Sequence, residues 1–149
     1  YEETEVVLRA GSNPARTLSG DLEARVGGFY GGDKLTLEPE LELRLGDFLT
    51  SELAWQYNDV DLPWGAFETN LGKLRVTYSF TTHLLLQALI QYNDVSDDIS
   101  TNLRFSWLKQ ANTGLFVVYN ELREFGSEAL PAPDRSLIVK YTRFVDIFR

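Results

Sequence analysis

Apolar and polar residues alternate one by one along most of this chain, and the period is two. From Leu71 to Lys109 the run LGKLRVTYSF meets TT, then HLLLQALIQY, then the polar NDVSDDIS, then TNLRFSWLK. Leu74, Val76, Tyr78 and Phe80 fall on one side of the first segment and Lys73, Arg75, Thr77 and Ser79 on the other, because successive side chains of a strand point to opposite faces. Leu84, Leu86, Ala88, Ile90 and Tyr92 repeat this against His83, Gln87 and Gln91, and Leu103, Phe105 and Trp107 against Asn102, Arg104 and Ser106. Each segment therefore predicts a strand with one greasy face, ending in aromatics, and one charged face.

The period extends in both directions, giving nine predicted strands over residues 3–10, 20–30, 34–45, 49–58, 71–80, 83–92, 101–109, 115–125 and 135–148. The third has the cleanest alternation, with Leu35, Leu37, Leu41, Leu43 and Leu45 against Thr36, Glu38, Glu40, Glu42 and Arg44, which no helix presents as a single stripe. Pro39 inside it has no N–H for a ladder, so a bulge or a split is expected there. Leu115 to Phe125 is ambiguous in its facing. Turn chemistry separates the strands at Gly11-Ser12-Asn13-Pro14, Gly31-Gly32-Asp33, Gly46-Asp47 and Ala111-Asn112-Thr113-Gly114. From Gly46 onward, short connections alternate with longer polar ones at 59–66, 93–100 and 126–134, which predicts a meander with short turns at one end and long loops at the other.

Composition narrows the classes. The 149 residues fit one domain, spanning 1–149, or a fragment of a larger barrel. With no Cys there is no disulfide framework, thiolate metal site or cysteine nucleophile. A net charge of -8 without any Lys/Arg cluster argues against a nucleic-acid partner. No run of about 18 apolar residues is present, so no transmembrane helix is predicted. The chain opens at Tyr1 without a signal-like stretch, as a processed protein or a piece of a longer one would.

The alternation alone leaves open which way the greasy face points. Turned inward, it would line a soluble barrel of the lipocalin or fatty-acid-binding kind carrying an apolar ligand. Turned outward, it would meet lipid around a polar lumen. A two-sheet sandwich is a third way to cover it. Volume favours lipid, because four or five large apolar side chains on each of about nine strands overfill so narrow an interior. Aromatics favour lipid too: Tyr30, Tyr57, Trp64 and Tyr92 near the long-loop end and Phe48, Tyr78, Phe80, Trp107 and Phe148 near the short-turn end form candidate belts. The expected fold is thus all-β, an antiparallel up-and-down transmembrane β-barrel with about nine strands visible. Nine is odd where bacterial barrels are even, so the chain reads as the C-terminal part of a larger barrel.

With the greasy face outward, Glu5, Asp21, Glu23, Glu38, Glu40, Glu42 and Glu52 share the lumen with Arg9, Arg25, Arg44, Lys73, Arg75, Arg104 and Lys140. Acids crowd the first four strands and bases dominate from Lys73 on. The set reads first as a ladder of ion pairs holding the wall in register, and second as a selectivity filter with a transverse field. Catalytic and metal readings are thin. The one histidine, His83, sits beside a tight turn, and there is no GxSxG, HExxH or phosphate-binding loop. Asp94, Asp97 and Asp98 form a candidate divalent-ion loop, with a solvated loop as the simpler reading.

Tyr78 to Phe80, Gln91 to Asn93, Asn102 to Trp107 and Val118 to Asn120 carry a resemblance. Over Leu71 to Tyr141 the chain resembles the C-terminal region of the bacterial proteins that pair a carbohydrate-binding family 9-like domain with a DUF5916 domain. That region is taken to be an outer-membrane barrel. The resemblance brings no catalytic residue, and the family's sugar-binding domain is absent from these residues. Many outer-membrane barrels end on an aromatic; here Phe148 is penultimate and Arg149 last. The sequence therefore leads us to expect a passive porin-like or scaffold protein of the bacterial outer membrane. It would not be an enzyme and would have no cofactor or metal; its partners would be outer-membrane lipid and an upstream barrel segment or another protein chain.

Overall fold

The structure, a computed structural model, describes residues 4–110, 113–125 and 132–143. Its regular elements are strands throughout: β1 (Glu5–Gly11), β2 (Leu18–Phe29), β3 (Gly32–Leu45), β4 (Leu49–Leu62), β5 (Gly65–Thr81), β6 (Leu84–Asn93), β7 (Asp98–Gln110), β8 (Thr113–Glu124) and β9 (Asp134–Thr142). They build one antiparallel sheet in which every strand pairs with its neighbours in sequence. The sheet is open, with β1 and β9 as its edges among the described residues. Phe148 and Arg149 lie outside the described residues.

Register turns the alternation of each strand into two continuous faces. Directly paired residues point the same way. Leu8 pairs with Ala24 and Ala24 with Leu37, while Arg9 pairs with Glu23 and Glu23 with Glu38. Farther along, Leu53 pairs with Leu74, Leu74 with Ile90, and Leu86 with Phe105. A one-residue slip at any strand would swap the faces, so the pattern fixes the pairing.

Among the described residues this single layer has no second layer to pack against. Among the described residues, Val60 is the one buried hydrophobic side chain, at 2 % exposure.

Three expectations change. The loop predicted over 59–66 is mostly strand: β4 runs to Leu62 and β5 starts at Gly65, with Asp59 paired to Glu68 and Val60 to Phe67. Residues 93–100 shrink likewise to a turn at Asp94–Asp97. The alternation of short and long connections is therefore absent. The end carrying the β2–β3, β4–β5, β6–β7 and β8–β9 connections, called the upper end below, has one long connection, after β8, and the β1–β2 connection of residues 12–17 is at the lower end. Pro39 neither splits β3 nor bulges it. Pro39 pairs with Leu22, and toward β4 the pairing passes from Leu37–Tyr57 to Glu40–Ala54 without a register shift. The register shifts lie beside two lower turns, at Ser79/Thr81 and Leu108/Gln110. At the β2–β3 turn, Tyr30 (φ 49°) and Gly31 (φ 82°) are both left-handed, as a two-residue hairpin matching strand twist requires.

Candidate functional site

The register gathers every charged residue singled out above onto one face. Glu23, Arg25, Glu40, Glu42, Arg44, Glu52, Lys73, Arg75, Arg104 and Lys140 all have the same parity across β2 to β9. Like charges stand opposite one another at Glu23–Glu38 and Glu42–Glu52, and bases relieve both. Arg25 Nη2 lies 3.4 Å from Glu38 and also contacts Glu23, which Arg9 Nε holds from the other side at 2.7 Å. Lys73 and Arg75 each reach Glu52 at 3.5 Å, and Arg44 pairs with Glu42. These are partly exposed pairs, screened by solvent and individually weak. Their role is to set register and remove repulsion.

Not all the charge is neutralised locally. Glu40 stands opposite Asp21, and neither has an ion pair among the described residues. Arg104 lies over the Phe116 ring at 6.0 Å, and Lys140 pairs in register with Phe116. On this face β1 to β4 thus keep a surplus of acids, while β5 to β9 mix Lys73, Arg75, Arg104 and Lys140 with Asp98, Glu124 and Asp134.

Neutral ladders also cross this face. Thr36 donates its Oγ1 hydrogen to Asn58 Oδ1 at 2.9 Å, and Asn58 Nδ2 donates to Thr69 Oγ1 at 3.0 Å, linking β3, β4 and β5. Asn102 donates to Asn120 and Asn120 Nδ2 to Ser136 Oγ at 3.0 Å, linking β7, β8 and β9. Neither ladder was anticipated, because each needs the register to bring residues far apart in sequence into line.

The polar face is the more enclosed of the two, which marks it as the inner side of a curved sheet. Ser19, Thr36 at 5 %, Asn58, Val60 and Ser106 at 7 % are the buried side chains among the described residues, and all lie on it. Hollows in the surface are lined chiefly by residues of the same face, such as Glu38, Glu40, Gln56, Lys73, Gln91 and Ser100. Side chains converge on the concave side of a bent sheet and splay apart on the convex side. On the convex side Leu8 is 68 % exposed, and no large apolar side chain there is buried.

The convex apolar residues form a band that does not follow the hydrogen-bonded rows. One such row runs Leu41, Leu53, Leu74, Ile90, Thr101, Glu121, Arg135 from β3 to β9. It starts inside the band and ends on charges. On β8 and β9 the band lies lower, at Leu115, Val117, Leu137, Val139 and Tyr141. Strands inclined to a level band produce this diagonal, and barrel strands are inclined by about 35–45°. Comparison with family models, curated proteins and solved structures yields no match to this chain.

The aromatic positions divide accordingly. Tyr57 and Tyr92 lie on the convex face at the upper margin of the band, and the diagonal adds Tyr119, which sequence reasoning missed. Trp55 belongs here too. It covers Gly72, where a Cβ would come within 2.7 Å of its ring, stands 6.1 Å from Tyr92, and donates Nε1–H to Asn70 Oδ1 at 3.1 Å. Tyr30 and Trp64 do not share that level. They sit in turns, beyond a convex rim carrying Asp33, Asp59, Asp61 and Glu68, because β4 and β5 continue where a loop was expected. At the lower margin Tyr78 packs edge-on against Phe48 (6.0 Å) and Phe80 (4.6 Å), with Trp107 and the unanticipated Tyr141 farther along. The Phe148 assignment falls outside the described residues.

The candidate cation loop is not assembled. Asp94 sits in the β6–β7 turn, where Asn70 Nδ2 donates to its Oδ2 at 2.8 Å, and hydrogen bonds from Asn70, backbone first, hold its carboxyl below the ordinary carboxylate range. Asp98 pairs with Asn93 in the sheet, and no group of three or more acidic or histidine side chains is placed to share a metal ion among the described residues. His83 is exposed at a lower turn, its Nδ1 2.9 Å from Thr82 Oγ1.

Proposed function

We propose that this chain is wall of an outer-membrane β-barrel, a passive porin-like channel or scaffold with a charged polar lumen. The observation that carries the reading is the diagonal apolar band on the convex face. On β4 the band extends from Leu49 to Tyr57. Eight residue steps at about 3.3 Å and a tilt near 40° give roughly 20 Å of height, close to the apolar band of about 25 Å on such barrels. A soluble lipid carrier needs the reverse, apolar residues on the concave side and charges outside.

Both edges bear on how the barrel closes. β1 and β9 each run from the upper end to the lower end, since seven reversals of direction lie between β2 and β9 and one more between β1 and β2. Closing them on each other would make a parallel pair, whereas an odd number of further strands keeps every pair antiparallel and the total even. Those strands come from a further segment or another chain. Electrophoresis without boiling provides the test. The reading expects protein refolded in detergent to migrate faster than boiled protein and to precipitate once detergent is removed. Protein that stays dispersed without detergent and takes up a fatty ligand overturns it.

A further inference from the structure

Beyond the upper margin of the band, the convex face changes sign along the sheet. Across β3 to β5 its outward charges are Asp33, Asp59, Asp61 and Glu68; across β8 and β9 they are Arg123 and Arg135 on either side of Glu121. Arg123 Nη2 donates to Glu121 Oε1 at 2.8 Å, Arg135 Nε donates to Glu121 Oε2 at 2.9 Å, and the Tyr119 hydroxyl donates to the same carboxylate. One acid thus fixes two guanidinium groups side by side and leaves the cluster with a net positive charge. Both arginines remain about half exposed, 49 % and 54 % by side chain, against 17 % for Glu121. Each guanidinium has five N–H donors in a planar fork, and the contact with Glu121 engages few of them.

Position gives this cluster its meaning. Tyr119 and Leu137 form the next convex pair below it, at the top of the band, so the arginines lie where acyl chains give way to headgroups. We infer that Arg123 and Arg135, held side by side by Glu121 and Tyr119, form a docking site for the phosphate of an anionic lipid headgroup at the upper rim over β8 and β9. This inference rests on the membrane reading above. The acidic rim over β3 to β5 repels the same headgroups and confines the contact to one side of the wall.

The test is partition of the refolded barrel, this chain together with the further strands that close it, into vesicles of pure phosphatidylcholine and of phosphatidylcholine with phosphatidylglycerol at three to one, at low salt. The quantity read is the ratio of the two partition constants. That ratio is expected to fall roughly fivefold for each arginine removed in R123Q and R135Q and to recover in the R123K/R135K variant. D59N/E68Q, on the acidic side, does not lower it. Strand circular dichroism in phosphatidylcholine vesicles verifies that each variant folds, and the two single variants provide independent readings. A ratio unchanged in R123Q/R135Q overturns the headgroup site while leaving the membrane reading in place. A wild-type barrel that enters neither vesicle overturns the membrane reading and the site with it.

Discussion

Ser106 and Trp107 are consecutive in β7, yet the small polar side chain is 7 % exposed and the large apolar one 40 %. The same inversion separates Thr36 from Leu35 and Asn58 from Tyr57, and it divides the sheet into a concave polar face that covers itself and a convex apolar face that no described residue covers. In a soluble protein the order is the other way round, because removing apolar surface from water drives folding. The comparison teaches that this chain does not complete its own burial. The concave face is satisfied by its ion pairs and amide ladders, whereas the convex face needs an apolar surrounding, which we propose is lipid.

The sharpest way to break the comparison is to place the same charge on each face. Leu53→Arg, in the middle of the band, is expected to cost about 2 to 4 kcal/mol in urea titrations of the protein folded into lipid, while Gln56→Arg on the concave face changes stability by less than about 1 kcal/mol. Equal effects would mean that Leu53 faces water. Next in size is the concave ladder. Asn58→Ala strips Thr36 and Thr69 of their shared partner and is expected to cost about 1 to 3 kcal/mol by the same titration.

Gly72→Ala acts on the convex side. Its new Cβ would meet the Trp55 ring at 2.7 Å, and the ring would have to leave its place beside Tyr92. A loss of about 1 kcal/mol with a red-shifted tryptophan emission is expected. The smallest effect belongs to pH at the upper turn. Because Asn70 lowers the Asp94 carboxyl in the folded protein, its stabilising contribution is complete above the ordinary aspartate range and is lost as pH falls through the depressed folded value. Acid titration of the wild type against Asn70→Ala should therefore show a slightly steeper loss of stability below about pH 4 in the wild type.

Much of this was legible in the sequence, and the misplaced loop and the ambiguous facing share one cause. The leucines of β3 and the run from Leu71 to Lys109 gave both strands and faces, because within the band one face is uniformly apolar. Where strands leave the band the contrast disappears. Asp59, Asp61 and Glu68 are convex yet charged, so the ends of β4 and β5 resembled a loop. In β8 the alternation inverts: Glu121 and Arg123 lie on the convex face while Phe116, Val118 and Leu122 lie on the concave one, and the facing was ambiguous for that reason. The ladders through Asn58 and Asn120 and the cluster around Glu121 required the register itself, since their partners come from different strands.

The three tryptophans provide the most direct test, since Trp55 and Trp107 lie on the convex face at the two margins of the band and Trp64 lies in an upper turn beyond the acidic rim. Single-tryptophan versions of the refolded chain are placed in vesicles whose acyl chains carry bromine, with iodide added to the water. The account predicts that the brominated chains quench Trp55 and Trp107 while iodide quenches Trp64. Iodide quenching all three alike, with bromine leaving Trp55 and Trp107 untouched, would contradict it.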